Sequence, residues 1–209
     1  MNEITKHPPT GQLLDSPKVW PTTQAAEGVP RLRWTMRDFD RLTELGVFGE
    51  KDHIELIGGE LVPKAAKGNR HERVRHIVVN WLVRRLPDAV DFSIELGWRP
   101  EPGMYLEPDL MLFPREVKVP EFGGDVALLV VEIARSSLAR DLSFRAMTMA
   151  SLGVRDYWVV NADSLATTTH HEPSNVGYGS KVVVPPHGLL TPLLVPELAL
   201  RLADLGIDG

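Results

Sequence analysis

Two acidic residues stand where an acid is costly. Asp109 follows Pro108 and leads into the apolar run Leu110-Met-Leu-Phe113, and Glu132 closes the run Leu128-Leu-Val-Val131. An ionised carboxylate beside a buried strand must be paired, hydrogen-bonded or metal-bound, because removing it from water uncompensated is expensive. Two such side chains on neighbouring strands could hold one hard cation, which takes oxygen ligands. Arg135, Arg140 and Arg145 are near enough to Glu132 in sequence to form a structural ion pair instead. From these residues alone the two readings are level. The metal reading requires Asp109 and Glu132 on adjacent strands with converging carboxylates.

A basic run lies nearby. Seven Lys and Arg residues fall between Lys64 and Arg85, against the single acid Glu72. Such a run is first of all a solvated helix face, and second a surface for phosphates. Ser136 and Ser137 with Asp141 have the composition of nucleophile chemistry, but hydroxyls before a helix at about Ala139 are better read as its cap. His170 and His171 are adjacent on a strand, where side chains alternate faces, so a shared metal is not expected. Trp81, Trp98 and Trp158 are expected in the core. No phosphate loop or dinucleotide fingerprint is present. With no cysteine, disulfides, thiolate metal sites and Cys nucleophiles are excluded.

The elements that would position these residues can be read from periodicity. Residues 1–30 are polar and rich in Pro and Thr, and are expected to form a flexible tail; residues 31–209 form the domain. Thr35 and Asp38 resemble a capping box opening a helix over about 36–45, stopped by Gly46. Gly58-Gly59 between two short strand-like runs predicts a tight hairpin. Val74, Ile77, Val78, Trp81 and Leu82 share one face of a helix over about 70–86. Strands are predicted at Phe92–Trp98, Tyr105–Phe113, Val126–Ile133 and Tyr157–Val160, with a helix from Asp141 to Leu152 before the last. Weaker strands follow near Ala166–His170 and Lys181–Val184, and a Leu-rich tail closes on the core. The order gives an α/β fold, a mixed β-sheet flanked by α-helices.

The bulk properties of the 209 residues bound the function. A net charge of −5 counts against non-specific coating of nucleic acid, though not against one local phosphate-binding patch. The N-terminal stretch lacks the apolar core of a signal peptide, and the longest apolar run is too short to span a bilayer. A cytoplasmic location without membrane partners is therefore expected.

Four segments together resemble one family. The stretch EIARSSLARDLSFRAMTMASLGVRDYWVVN from Glu132 has a Glu-Ile/Val, a Ser-containing turn, an Asp, a basic residue four positions on, and Gly-Val/Ile-x-Glu/Asp-Tyr-Trp-x-Val. IELIGGELV, KGNRHERVRHIV and LEPDLMLF precede it in order. These are similar to the segments of the Uma2 family (DUF820), restriction-endonuclease-like proteins of the PD-(D/E)XK superfamily. The resemblance implies a restriction-endonuclease-like core in which Asp109 and Glu132 bind Mg²⁺ or Mn²⁺, with the main-chain carbonyl of Ile133 as a further ligand. It implies that Glu60 acts through water, that His71 orients a phosphate or a water, and that Arg145 occupies the family's Lys position. Lys64, Lys67, Arg70 and Arg73 would hold the nucleic-acid backbone. Departures accompany the match: Arg145 for Lys, Gly58 for Asp, and Arg135 for an acid. The implied activity is metal-dependent phosphodiester hydrolysis, weakened by Arg145. The alternative is a non-catalytic nucleic-acid-binding or interaction protein on the same fold. The implied partner is nucleic acid, DNA ahead of RNA, with a homodimer as an open option.

Overall fold

The computed structural model describes residues 31–49, 52–119 and 122–207. The expected tail over residues 1–30 lies outside them. Thr35 caps helix α1 (Met36–Glu44): its hydroxyl accepts from the Asp38 amide, and the Asp38 carboxylate accepts from the Thr35 amide in return. Both bonds satisfy donors that the first helical turn leaves free. The hairpin follows as β1 (Ile54–Ile57) and β2 (Glu60–Pro63), with Ile57 opposite Glu60 and Glu55 opposite Val62. Gly58 and Gly59 have φ of 60° and 85°, the left-handed values that this two-residue turn demands. A side chain at Gly59 would also collide with Arg33, whose Cβ would lie 2.6 Å away.

Helix α2 (Asn69–Val83) is followed by a six-stranded sheet in simple sequence order: β3 (Val90–Ser93), β4 (Leu110–Pro114), β5 (Leu129–Ala134), β6 (Asp156–Asn161), β7 (Thr167–Ser174) and β8 (Gly177–Val184). All neighbours are antiparallel except β5 and β6. A parallel pair needs a crossover, and here it is helical: α3 (Leu138–Arg140), a π-helical turn over Asp141–Arg145, and α4 (Ala146–Ser151). Two 3₁₀ turns, Pro196–Leu198 and Leu202–Leu205, fasten the C-terminal tail. This is the α/β mixed sheet flanked by helices that the sequence predicts.

The sheet is buried on both sides at its centre, and every residue of β5 is buried. Alternation divides its residues between two cores. Met111, Phe113 and Val130 join Trp98, Met104, Met149 and Tyr157 on one side. Leu110, Leu112, Val131 and Ile133 join Val74 of α2, Trp158 and the C-terminal Leu198 on the other. The same period places Asp109 with Met111, and Glu132 with Val130, so both carboxylates belong to one face.

Several expected boundaries move for local reasons. β3 ends at Ser93 because Glu95 takes a left-handed φ of 52°. Trp98 and Leu106 are joined only by an isolated bridge, and Pro108, with no N–H to give, separates that bridge from β4. Trp98 and Trp158 are buried, whereas Trp81 is half-buried under the Arg85 guanidinium. Ser137 stands at the start of α3 without a side-chain cap bond.

Candidate active site

The antiparallel register sets Leu110 opposite Val131, which brings Asp109, one residue before β4, beside Glu132 in β5. The two meet at the end of the sheet where β4 begins and β5 ends. The Ile133 amide donates to Asp109 Oδ2 at 2.8 Å, and the Asp109 amide makes a longer contact of 3.4 Å with Glu132 Oε2. Both carboxylates line a cavity of about 440 Å³, together with Ile133, His71, Lys64, Lys67, Asp141 and Arg145.

Each carboxylate has one oxygen heavily engaged. Asp109 Oδ2 also faces His71 Nε2 at 2.9 Å. The opposite ring nitrogen, Nδ1, lies 3.2 Å from Glu72 Oε1. His71 is thus held between two carboxylates. Burial alone would push the imidazole's pKa down, but hydrogen bonding and charge from Asp109 outweigh it and the net direction is upward. Burial likewise opposes ionisation of Asp109, and His71 with the Ile133 amide reverses this, holding the carboxyl below its ordinary value.

Glu132 Oε1 takes both Nε and Nη2 of Arg145, at 2.9 and 2.8 Å. The third guanidinium nitrogen, Nη1, reaches Glu55 Oε2 at 2.9 Å. Glu55 Oε1 accepts from the Glu107 amide at 2.8 Å. All three side chains are buried. Burial pushes the Glu132 carboxyl above its ordinary range against the pull of Arg145. Arg145 itself stays charged, since Glu55 and Glu132 outweigh its desolvation. The guanidinium fork is locked onto carboxylates, as its bidentate geometry favours, and it ends a π-helical turn, an insertion that recurs at functional positions.

The basic residues separate by position. Lys67 Nζ stands 3.2 Å from Asp109 Oδ1 and also pairs with Glu95, which in turn pairs with Arg75. Lys64 donates to the Glu107 carbonyl. Both lysines line the cavity. Arg70 does not: its guanidinium donates to the Ala162 carbonyl at 2.9 Å and to the Ile207 carbonyl, tying α2 to the tail. Arg73 is exposed on α2, outside the cavity lining. Glu60 is half-buried in β2 and also outside it. The hairpin acid that enters the charged cluster is Glu55, which sequence reasoning passed over. Its signal was the one that exposed Glu132, an acid inside an apolar strand, here Ile54-Glu-Leu-Ile57. Of the ion-pair partners considered for Glu132, Arg145 takes the role, while Arg135 pairs with Asp163 and Arg140 lies near Asp141. His170 and His171 occupy β7, the first buried and the second bonded to Asp156 at 2.9 Å.

A divalent cation can be tested against this donor set. Among the described residues no group of three or more His, Asp or Glu is spaced to hold a metal ion. Of the Asp109 and Glu132 oxygens, the less engaged are Asp109 Oδ1, which Lys67 approaches at 3.2 Å, and Glu132 Oε2, which has the 3.4 Å contact from the Asp109 amide. Two carboxylate oxygens suit an ion that keeps several waters and completes its shell on substrate phosphate, as Mg²⁺ does. The residues therefore fit a weakly held, mostly hydrated hard cation, with Ile133 and Asp141 also in the lining.

The Uma2 family model, described as "Putative restriction endonuclease", matches residues 36–203. Among solved structures, a "putative nuclease belonging to DUF820" from Anabaena variabilis ATCC 29413 is similar with a TM-score of 0.61 and 16% identity, over 82% of this chain and 96% of that one. At that identity the likeness is one of fold. No curated protein matches the sequence. No helix among the described residues is long and apolar enough to cross a membrane.

Proposed function

Because the chain belongs to the Uma2 family, we propose that its cavity is the active site of a Mg²⁺- or Mn²⁺-dependent endonuclease acting on nucleic acid, DNA ahead of RNA. The observation that carries the reading is the paired opening of Asp109 and Glu132 into one cavity with Lys64 and Lys67 beside them. The ion, when bound, supplies a water of lowered pKa and neutralises charge that builds on the phosphate.

The protein's own residues supply the rest. Asp109 and Glu132 present one oxygen each for the cation. The Ile133 amide and His71 hold the other Asp109 oxygen, so that this carboxylate does not rotate away. Lys64 and Lys67 give the cavity positive charge to receive a backbone phosphate, and Arg73 extends it along α2. Charge-assisted donors already in place stabilise a developing oxyanion without reorganising. Lys64 serves that role here, because its ammonium is held by a carbonyl, whereas Lys67 is paired with Glu95 and Asp109 and the Arg145 guanidinium with Glu55 and Glu132.

The same commitment favours a second reading, a non-catalytic nucleic-acid-binding protein, since Arg145 already compensates the acid that a cation would use. Cleavage separates them. Purified protein is incubated with supercoiled plasmid, single-stranded DNA and RNA, with Mg²⁺, Mn²⁺ or EDTA. The enzyme reading expects metal-dependent cuts that EDTA stops; retention of nucleic acid on a gel without cleavage supports the second reading.

A further inference from the structure

We infer that Glu55 is a positioning residue that holds the Arg145 guanidinium so that one oxygen of Glu132 stays free for a cation. The inference rests on the metal-site reading above and explains how an arginine is compatible with it. A guanidinium beside a carboxylate tends to bond both of its oxygens, fork to fork. Here it does not. Nε and Nη2 both end on Glu132 Oε1, while Nη1 is drawn to Glu55 Oε2 at 2.9 Å. The Nη2 contact has ion-pair distance but poor hydrogen-bond geometry, and that nitrogen lacks a satisfied hydrogen bond. Two nitrogens crowded on one oxygen mark a guanidinium held off the symmetric pose. Among the described residues, Glu132 Oε2 accepts one hydrogen bond, the 3.4 Å contact from the Asp109 amide.

Glu55 is itself fixed. Its side chain is about 3% exposed, and its other oxygen accepts from the Glu107 amide. That bond anchors it to the segment leading to Asp109. Glu55 and Glu60 share one face of the hairpin, since Glu55 alternates with Ile57 and Ile57 faces Glu60; Glu55 is the buried one, and Glu60 stands half-buried beside the turn. Without the Glu55 charge, Arg145 is free to close on both oxygens of Glu132, and the cation loses one of its two carboxylates. Supporting partners of this kind change metal affinity by roughly 10- to 100-fold.

The test is Mn²⁺ affinity of the full chain, read by the loss of the free-ion paramagnetic resonance signal, which does not depend on catalysis. Glu55→Gln is expected to weaken Mn²⁺ binding about tenfold or more while keeping the circular dichroism of the parent. In an Arg145→Met background the same change is expected to have no further effect, because the residue acts through the guanidinium; a double-mutant cycle isolates this coupling. Unchanged Mn²⁺ affinity in Glu55→Gln, with binding still lost in Asp109→Ala, overturns the inference and leaves the metal site standing. An undiminished effect of Glu55→Gln in the Arg145→Met background also overturns it. No Mn²⁺ uptake by the parent or by Arg145→Met removes the metal reading, and the inference with it. Where Arg145→Met does not fold, the Arg145 Nε–H resonance of ¹⁵N-labelled protein decides. It moves in Glu55→Gln if the fork closes on Glu132, and an unmoved resonance overturns the proposal.

Discussion

Replacing Arg145 by Met removes a cation bonded to two buried carboxylates, and the cost can be worked from what is left behind. The guanidinium makes contacts of 2.9, 2.9 and 2.8 Å to Glu132 and Glu55, whose side chains are about 6% and 3% exposed. Breaking a buried pair by removing one partner costs about 3–5 kcal/mol. An independent ceiling comes from protonation, since a stranded carboxylate can escape its charge by taking a proton. At pH 7 that costs about 3.7 kcal/mol for a glutamate of ordinary pKa near 4.3, at 1.36 kcal/mol per pH unit. With two carboxylates stranded this ceiling is about 7 kcal/mol, so the pair-breaking figure is the smaller and a loss of about 3–5 kcal/mol is expected, or about 6–20 °C in melting temperature for a domain of this size. The pH dependence has a definite sign. Burial raises the folded-state pKa of Glu132, and a group with a raised pKa contributes stability below its unfolded value and loses it as pH rises. At pH 5 the protonation route costs only about 1 kcal/mol for each carboxylate, about 2 in all, so the gap between variant and parent should shrink to about 4–8 °C. Thermal melts at pH 5, 7 and 8 measure this. A variant melting within about 2 °C of the parent at pH 7, or a gap that widens in acid, would refute the account of Arg145 as the counter-charge of the cluster.

Arg145→Lys should raise metal-dependent cleavage above the parent, because a flexible ammonium relinquishes Glu132 more readily than a fork; equal or lower activity, with the parent cleaving well, would make Arg145 a working catalytic cation. Millimolar Mg²⁺ or Mn²⁺ should raise the melting temperature of the parent and leave Asp109→Ala unshifted, since a ligand that binds only the folded state stabilises it by mass action; melts with and without metal check this. His170 is buried, and burial pushes its pKa down. The unfolded chain therefore binds more protons below about pH 6.5, stability falls as pH drops through that value, and His170→Phe should flatten that slope in denaturant titrations. Thr35→Ala should cost about 1 kcal/mol by removing the cap of α1, read as a shift of the denaturation midpoint.

Local chemistry made some of this legible in the sequence. The Thr35–Asp38 cap and the Gly58-Gly59 turn are decided within four residues of chain, and both form as their residue types dictate. Asp109 and Glu132 stood out because an acid in an apolar run demands compensation. Arg145 was one of three arginines weighed as the partner of Glu132, and it takes that role; the second carboxylate that shares it was not legible. Glu55 and Arg145 are 90 residues apart, and only the packed hairpin and crossover bring them together. The hairpin offered two acids on one face, and place along the strands, not composition, set the buried Glu55 against Arg145 and left Glu60 half-buried beside the turn. Arg70 read as one more charge in a basic run, yet its donors are spent on the Ala162 and Ile207 carbonyls, partners that exist only once the tail has docked. The π-helical turn that carries Arg145 leaves no mark on hydrophobic periodicity.

The most direct test of the central claim is the single-turnover cleavage rate of end-labelled DNA against Mn²⁺ concentration, for the parent, Asp109→Ala and Glu132→Gln. The account predicts a rate for the parent that is zero in EDTA and saturates with Mn²⁺, and no cleavage above background for either variant. Cleavage by Asp109→Ala at the parent's rate, or DNA bound by the parent and left intact at saturating Mn²⁺, would contradict it.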